Sequence, residues 1–230
     1  MNIRFLGAHS RESKSSRFVS LLIDDILAVD AGALTSSLSM AEQRQLKAIL
    51  LSHEHYDHIR DIPAIALNLF NQGGQIQLYS TAAVGTALAD HLLNGRLYPK
   101  FLETPPARPT VNFNPVCKHE AFIAAGYQVV SLPVNHNESV GYQVSDSAGR
   151  SVVFTGDTGP GFVELWRQLP LWDRVLPQLL IMETTVPNED AEFASRTGHL
   201  TPRLLKDELE QFQRLKGYLP PVTIVHMDPR

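Results

Sequence analysis

A cluster of metal-ligating residue types occupies residues 53–58, which read His-Glu-His-Tyr-Asp-His. The cluster directly follows the apolar run 48–51, which is predicted to form a buried strand, so it lies on the loop that leaves this strand. In an extended segment the side chains of residues i and i+2 point the same way, and His53 and His55 can therefore bind one cation. Asp57 and His58 follow at once and can turn toward a second cation. Imidazole and carboxylate ligands together suit zinc, manganese or iron.

Three further residues of metal-ligating type stand at the ends of apolar, strand-like runs elsewhere in the sequence: His136, Asp157 and His226. Loops that leave strands at the same edge of a sheet bring their side chains together. One loop cannot supply every ligand of two cations. These placements therefore predict that the three residues complete the site.

The composition favours one domain with a single core. The chain has 230 residues, of which 43% are hydrophobic, and no linker divides it, so one domain over residues 1–230 is predicted. The net charge of −4 provides no basic field for a nucleic-acid backbone. Cys117 is the only cysteine, which excludes an internal disulfide and fits a reducing compartment. Neither a signal peptide nor a long apolar span is evident, so a soluble cytoplasmic protein is expected.

Predicted strands and helices alternate in both halves of the sequence, which indicates sheets flanked by helices. Strands are predicted at 3–7, 18–23, 26–29, 48–51, 76–79, 127–132, 140–144, 151–155, 179–183 and 222–226. Helices are predicted at 39–46, 61–70, 81–93, 162–168 and 201–216. Residues 94–115 contain five prolines and are predicted to be irregular, either a surface connection or a lid over a site.

The order and placement of the ligand-type residues resemble the metallo-β-lactamase superfamily over nearly the whole chain. The resemblance implies an α/β fold, a four-layer αβ/βα sandwich with the site along one edge of its two sheets. The lactamases themselves carry Cys in the place of Asp157, and an Asp there implies a dinuclear hydrolase of the phosphodiesterase type. The implied ligands divide between two cations, the first bound by His53, His55 and His136, the second by Asp57, His58 and His226, and both by Asp157.

Three segments are similar to the class II cyclic-nucleotide phosphodiesterases. They are Phe-Thr-Gly-Asp-Thr-Gly-Pro at 154–160, Glu-Thr-Thr-Val-Pro-Asn-Glu at 183–189 and Gly-His-Leu-Thr-Pro at 198–202. Related phosphodiesterases and ribonuclease Z enzymes carry a comparable Glu and a downstream His. Members of the family usually continue into a further short segment beyond the last His, whereas this sequence ends at Arg230.

Hydrolysis of a phosphodiester is the chemistry that this set of residues predicts. Two cations that share a water lower its pKa, which gives a bridging hydroxide at working pH. His199 is the predicted general acid, with Glu183 orienting its other ring nitrogen, although His199 could instead only stabilise its turn. His199 also precedes the helix 201–216, whose N-terminus is expected to favour an anionic phosphate. Asp57 is counted with the catalytic residues as well as with the ligands, and Asp30 is predicted to support the metal-binding loop.

The leading hypothesis is a phosphodiesterase that acts on a 3′,5′-cAMP-like or cGMP-like cyclic nucleotide or on another small phosphodiester. Its predicted cofactors are two divalent ions, with zinc favoured and manganese or iron as alternatives. The competing hypotheses are a ribonuclease Z-like RNA-processing nuclease, a di-iron redox protein on the same scaffold, and a thioesterase or lactonase. The expected partner is a small phosphodiester, with no membrane partner, and nucleic acid is the less favoured substrate. A homodimer is compatible with the resemblance.

Overall fold

The computed structural model describes residues 1–169 and 175–229. The chain divides into two compact units, Met1–Val116 and Cys117–Arg230, and each unit contains one six-stranded mixed sheet. The prediction of a single domain over residues 1–230 stays a prediction. Among the described residues, no helix combines the length and the apolar character that a membrane crossing requires.

The first unit contains strands β1 to β6, helices α1 to α5 and a π-helical turn. Its strands are β1 (Ile3–Gly7), β2 (Ser20–Ile23), β3 (Leu27–Val29), β4 (Ala48–Leu50), β5 (Ile76–Ser80) and β6 (Val111–Pro115). Its helices are α1 (Leu34–Ser37), α2 (Met40–Gln43), α3 (Tyr56–Ile59), α4 (Ile62–Phe70) and α5 (Ala82–Ala87), and the π-helical turn is Leu88–Leu92.

The sheet of the first unit follows the chain order from β1 to β6. Strands β1, β2 and β3 pair antiparallel, and β3 to β6 pair parallel. Parallel neighbours require crossover connections, and the helices of this unit lie in those connections. Strands β2, β3 and β4 are buried along their whole length, as expected for strands covered on both faces. The carboxyl ends of β3, β4 and β5 consequently meet at one edge of the sheet.

The described residues of the second unit, 117–169 and 175–229, form strands β7 to β12, helices α6 to α8 and a 3₁₀ turn. Its strands are β7 (Ala121–Ala124), β8 (Tyr127–Pro133), β9 (Val140–Ser145), β10 (Ser151–Phe154), β11 (Leu179–Glu183) and β12 (Val222–Val225). Its helices are α6 (Val163–Gln168), α7 (Ala191–Thr197) and α8 (Pro202–Lys216), with the 3₁₀ turn at Asn188–Asp190.

Antiparallel pairs run from β7 to β10, and parallel pairs join β10, β11 and β12. Strand β8 therefore has the same direction as β10, β11 and β12, and all four carboxyl ends lie at one edge of the sheet. Helix α8 starts after Thr201, whose side chain caps it, and ends at Gly217 in the left-handed conformation. Phe212 of α8 packs edge-on against the buried Trp166 of α6, with ring centroids 5.1 Å apart. Both residues belong to a core cluster that also contains the strand residues Val130, Val153 and Leu180, so α8 and α6 pack against this sheet.

Most predicted strands and helices are present, with ends displaced by one to three residues, but residues 94–115 are not irregular throughout. Their last five residues form β6, which pairs parallel with β5 at the edge of the sheet. The proline content obscured this strand, although Pro115 at the end of an edge strand removes no hydrogen bond that the sheet needs. The sequence analysis also omitted β7, α1, α3 and α7. Helix α3 lies inside the histidine cluster, so Asp57 and His58 are helical rather than extended.

Candidate metal centre

The histidine cluster of the first unit follows the carboxyl end of β4. His53 is fully buried, and its ring centroid lies 4.5 Å from that of His55 and 4.2 Å from that of His58. The chain then enters α3, whose first turn brings Nε2 of His58 to 3.3 Å from Oδ2 of Asp57. The local fold therefore gathers all four predicted ligands of this unit around the end of one strand.

A buried carboxylate holds this loop in place. Asp30 follows β3, the neighbour of β4, and its backbone has the left-handed φ of 56°. Its side chain accepts hydrogen bonds from the backbone N–H of Ser52 at 2.8 Å, from the Ser52 hydroxyl at 3.0 Å and from Nδ1 of His58 at 2.7 Å. Asp30 thus supports the loop in the way that the sequence analysis predicted.

The second unit brings together its own set of predicted site residues at the carboxyl edge of its sheet. Asp157, His199 and His226 each present a possible ligand atom, and these atoms lie within 4.8 Å of one another. Nε2 of His226 is 3.2 Å from Oδ2 of Asp157. The ring of His199 lies 4.7 Å from that of His136 and stacks at 5.6 Å on that of His226. Three of these four residues are buried, and His199 keeps a small exposed fraction of 13%.

His136 depends on a glycine for its position. Nδ1 of His136 donates to the carbonyl oxygen of Gly198 at 2.9 Å. Gly198 has a left-handed φ of 71°, and a Cβ there would lie 2.7 Å from the carbonyl oxygen of Asn135 and 3.2 Å from Nδ1 of His136. Only glycine fits this approach without displacing the imidazole.

Glu183 at the end of β11 is the central acceptor of the second unit. The side chain is fully buried and contacts Nδ1 of His199 at 2.8 Å, as predicted for these two residues. It also accepts from the backbone N–H groups of Thr158, Thr185 and Leu200 and from the Thr185 hydroxyl. This carboxylate therefore connects three loops of the site.

The N-terminus of α8 is the position that the sequence analysis expected to favour an anionic phosphate. Pro202 has no N–H group, Arg203 donates its N–H to Oδ1 of Asn188 at 2.9 Å, and Leu204 donates to the hydroxyl of Thr201 at 3.3 Å. The protein itself uses the donors of this first turn. The expectation that this N-terminus favours an anionic phosphate stays a prediction, and any such effect would come from the helix dipole rather than from these N–H groups.

Two hydroxyl side chains of the site were missed in the sequence. Ser52 contacts Nδ1 of His53 at 3.0 Å, and Thr185 contacts Nδ1 of His226 at 2.7 Å. Ser52 directly precedes the histidine cluster, and Thr185 follows Glu183 by two residues. Short hydroxyl residues near strand ends are common in any sequence, so only the three-dimensional contacts identify these two.

The arrangement of donors fits divalent cations. Nδ1 of His58 donates to the Asp30 carboxylate, so in the neutral ring the Nε2 atom carries the lone pair. That lone pair faces an Asp57 oxygen at 3.3 Å. In the second unit, Nε2 of His226 likewise lies 3.2 Å from Oδ2 of Asp157, and Nδ1 of the same ring contacts the Thr185 hydroxyl at 2.7 Å. Two acceptors at such a distance are brought together favourably when both bind one cation, and imidazole with carboxylate is the ligand set of zinc and related metals.

Comparison with solved structures places the fold among known proteins. Yeast PDE1 has a TM-score of 0.82 at 15% identity, with 99% of this chain and 88% of that chain covered. The metallo-β-lactamase fold protein YhfI from Bacillus subtilis has a TM-score of 0.74 at 17% identity, with coverages of 99% and 86%. The short form of human tRNase Z has a TM-score of 0.67 at 19% identity, with coverages of 100% and 93%. At these identities the likeness shows the fold alone.

The sequence itself was compared with curated proteins and with family models. No curated protein matches it at a significant level. The model of the β-lactamase superfamily domain matches residues 21–227, which is most of the chain. This match and the two mixed sheets confirm the predicted fold class, α/β of the metallo-β-lactamase type. The chain therefore belongs to the β-lactamase superfamily of metallo-β-lactamase-fold proteins.

Proposed function

We propose that this chain is a metal-dependent phosphodiesterase that hydrolyses a small phosphodiester, with a 3′,5′-cyclic nucleotide as the favoured substrate. The observation that carries the proposal is the buried Glu183 carboxylate, 2.8 Å from Nδ1 of His199, in the unit where Asp157 and His226 present possible ligand atoms. A proton donor oriented beside a metal site is what expulsion of an alkoxide from phosphorus requires.

The proposed cofactors are two divalent cations, with zinc favoured and manganese or iron as alternatives. Bound cations of this kind acidify a water molecule and offset negative charge on phosphate oxygens. Family membership and the donor types in each unit support the assignment. In the proposed assignment, one cation is bound by His53, His55 and His136 and the other by Asp57, His58 and His226. Asp157 binds both.

His199 is the proposed general acid. Its Nδ1 hydrogen is donated to Glu183, so Nε2 is the atom that holds and delivers a proton. The buried carboxylate stabilises the imidazolium form of the ring and fixes its orientation. The partial exposure of the His199 side chain leaves it accessible to a substrate. Asp57 joins the catalytic set because a ligand carboxylate in a short helix can position one cation relative to the other residues.

The choice of substrate class is supported by two likenesses. The segments at 154–160, 183–189 and 198–202 resemble the class II cyclic-nucleotide phosphodiesterases, and the fold is similar to that of yeast PDE1. The fold likeness to human tRNase Z favours a second candidate, a ribonuclease Z-like nuclease. The net charge of −4 disfavours it, because RNA binding relies on neutralising phosphates with basic side chains.

Product analysis tests the proposal directly. The protein, loaded with zinc or manganese and with its metal content verified, is incubated with 3′,5′-cyclic AMP. AMP is the expected product, and Asp157→Ala should form none and bind less metal, because the proposed bridging carboxylate serves both cations. Asp207→Ala, which removes an exposed carboxylate on α8, is the matched control and should retain the activity.

Each negative result has a defined meaning. AMP formation by Asp157→Ala with full metal content would refute the assignment of the site. No hydrolysis of cyclic AMP, cyclic GMP or bis(4-nitrophenyl) phosphate by metal-loaded protein would refute the phosphodiesterase proposal. Cleavage of RNA alone, weakening steeply as salt is raised, would establish the nuclease instead.

A further inference from the structure

Each unit contains one buried carboxylate that contacts one histidine directly and a second histidine through a hydroxyl group. In the first unit Asp30 contacts His58 directly and His53 through Ser52. In the second unit Glu183 contacts His199 directly and His226 through the Thr185 hydroxyl. Both carboxylates are fully buried. The repetition of one arrangement on two different sheets suggests a common chemical requirement.

We propose that Ser52 and Thr185 are positioning residues that fix the Nδ1–H tautomer of His53 and His226, so that Nε2 of each ring carries the lone pair for a cation. The inference rests on the proposed metal centre. It adds two residues that bind neither metal nor substrate themselves.

The direction of the hydrogen bonds in the first unit follows from what each group can donate. The Asp30 carboxylate accepts from the Ser52 N–H at 2.8 Å and lies 2.7 Å from Nδ1 of His58, which donates to it. A carboxylate can only accept, so the Ser52 hydroxyl donates its hydrogen to Asp30 at 3.0 Å. Toward His53, at 3.0 Å, the Ser52 oxygen can then only accept. Nδ1 of His53 must therefore carry a hydrogen.

The second unit gives the same result over shorter distances. Three backbone N–H groups and Nδ1 of His199 donate to the oxygens of the Glu183 carboxylate, which act only as acceptors. The Thr185 oxygen lies 2.6 Å from Oε2 of Glu183, and only its own hydrogen can occupy that contact. Nδ1 of His226 lies 2.7 Å from the Thr185 oxygen and is left as the donor. Nε2 of His226 is then an acceptor, directed toward the Asp157 carboxylate.

A hydroxyl is suited to this role because it donates and accepts at the same time. Its one hydrogen is committed to the carboxylate, which leaves a lone pair of fixed direction for the imidazole. Partners of this kind around metal-ligating histidines raise metal affinity by about 10–100-fold. The expected cost of removing the Thr185 hydroxyl is therefore a loss of metal affinity within that range.

Thr185→Val and Thr185→Ser form a matched pair for the test. Valine keeps the shape of threonine without the hydroxyl, and serine keeps the hydroxyl. Thr184→Val removes a hydroxyl from the adjacent buried threonine and controls for loss of a polar group in this segment. Ser52→Ala applies the same test to His53 in the other unit, so the inference stays testable if Thr185→Val does not fold.

The first readout is the tautomer of each ring in the metal-free protein, from two-bond nitrogen–proton correlation spectra recorded at about pH 8.5, about two units above the ordinary pKa of an imidazole. The parent protein, Thr185→Ser and Thr184→Val should show His226 with its hydrogen on Nδ1. Thr185→Val should move the hydrogen of His226 to Nε2 and leave His53 unchanged. Ser52→Ala should do the reverse.

The second readout is zinc affinity, measured by competition with a chromogenic chelator. Thr185→Val and Ser52→Ala should each bind zinc about 10–100-fold more weakly, while Thr185→Ser and Thr184→Val stay near the parent. Either of two results overturns the inference: an Nε2–H tautomer of His226 in the parent, or parental zinc affinity in a folded Thr185→Val. Neither readout requires turnover. A protein that hydrolyses no phosphodiester can therefore still confirm the positioning role, and an active one can still refute it.

Discussion

The substitution Glu183→Gln separates the chemical role of the buried carboxylate from its structural role. The carboxylate accepts five hydrogen bonds, of which three come from backbone N–H groups, one from the Thr185 hydroxyl and one from Nδ1 of His199. Glutamine has nearly the same shape but only one acceptor oxygen. Some of these donors must therefore face its amide N–H groups.

The loss of stability that Glu183→Gln causes can be estimated from the donors that each oxygen of the carboxylate accepts. Oε2 accepts from the N–H and hydroxyl groups of Thr185 and from the N–H of Leu200, and Oε1 accepts from Thr158 and His199. The glutamine oxygen is best placed toward the three donors. Thr158 then keeps an unsatisfied buried N–H, which costs about 1–3 kcal/mol, and the loss of charge in the other bonds adds about 1–2 kcal/mol. We expect the free energy of unfolding to fall by about 2–5 kcal/mol.

The same substitution changes the hydrogen positions on His199. Facing an amide N–H group, the ring can move its hydrogen from Nδ1 to Nε2, and its imidazolium form loses the carboxylate that stabilises it. Proton delivery to a leaving alkoxide should then slow by about 10²–10⁴-fold. A 4-nitrophenolate leaving group needs no proton, so its release should slow much less.

Glu208→Gln is the matched control for this experiment. Glu208 is also buried, and its carboxylate accepts from the N–H groups of Gly161 and Phe162, at 2.6 and 3.2 Å, rather than from a histidine. Urea unfolding should show a loss of about 1–3 kcal/mol for this variant, with the parental dependence of rate on leaving group. If Glu183→Gln loses stability yet also retains the parental leaving-group dependence, the reasoning about His199 is refuted.

Three other substitutions test separate parts of the structure. His199→Ala should keep its metals and lose turnover mainly with poor leaving groups, and equal losses with aryl and alkyl esters would argue against a general acid. Gly32→Ala would place a Cβ 2.2 Å from the carbonyl oxygen of Asp57, so the loop must shift. Calorimetry should show a lower Tm, and chelator competition should show weaker zinc binding. Unchanged zinc affinity there would contradict this account of the loop. Phe212→Ala should lose about 3–5 kcal/mol in urea unfolding without changing the zinc affinity of the folded protein, and a loss below about 1 kcal/mol would contradict the packing against Trp166.

The proximity of Asp157, His199 and His226 could be predicted because ligand chemistry and strand direction restrict the choices. Few residue types bind transition metals, and each of these residues lies near a strand end or a helix start that the apolar pattern reveals. Strands of one direction end at one edge of their sheet, so the strand ends bring Asp157 and His226 together, whereas His199 was identified from the resemblance of residues 198–202. The contact between Glu183 and His199 followed from the resemblance to known phosphodiesterases and is present at 2.8 Å.

Other features could not be predicted because they depend on contacts between distant residues. Strand β6 is stabilised by its pairing with β5 and contains Pro115, so its own composition favours an irregular segment. Helix α3 has only four residues, and its one histidine and its aspartate have no strong helix preference. At the N-terminus of α8, nothing in the sequence indicated that Asn188, in the 3₁₀ turn, accepts the N–H of Arg203. For β6 and for the first turn of α8, the contact depends on a partner that is remote in sequence.

In each unit, one carboxylate and one hydroxyl together orient two histidine rings. A carboxylate at the end of a buried strand can accept from several donors, and its charge fixes the direction of every hydrogen bond that it receives. One hydroxyl then carries that direction to a second ring. Asparagine in the place of Thr185 could present either its oxygen or its N–H groups to His226, and both tautomers would be compatible with the fold. A serine or threonine beside a carboxylate allows only the Nδ1–H tautomer of His226. For this reason Thr185→Ser should retain this tautomer and the zinc affinity, both of which Thr185→Val should lose.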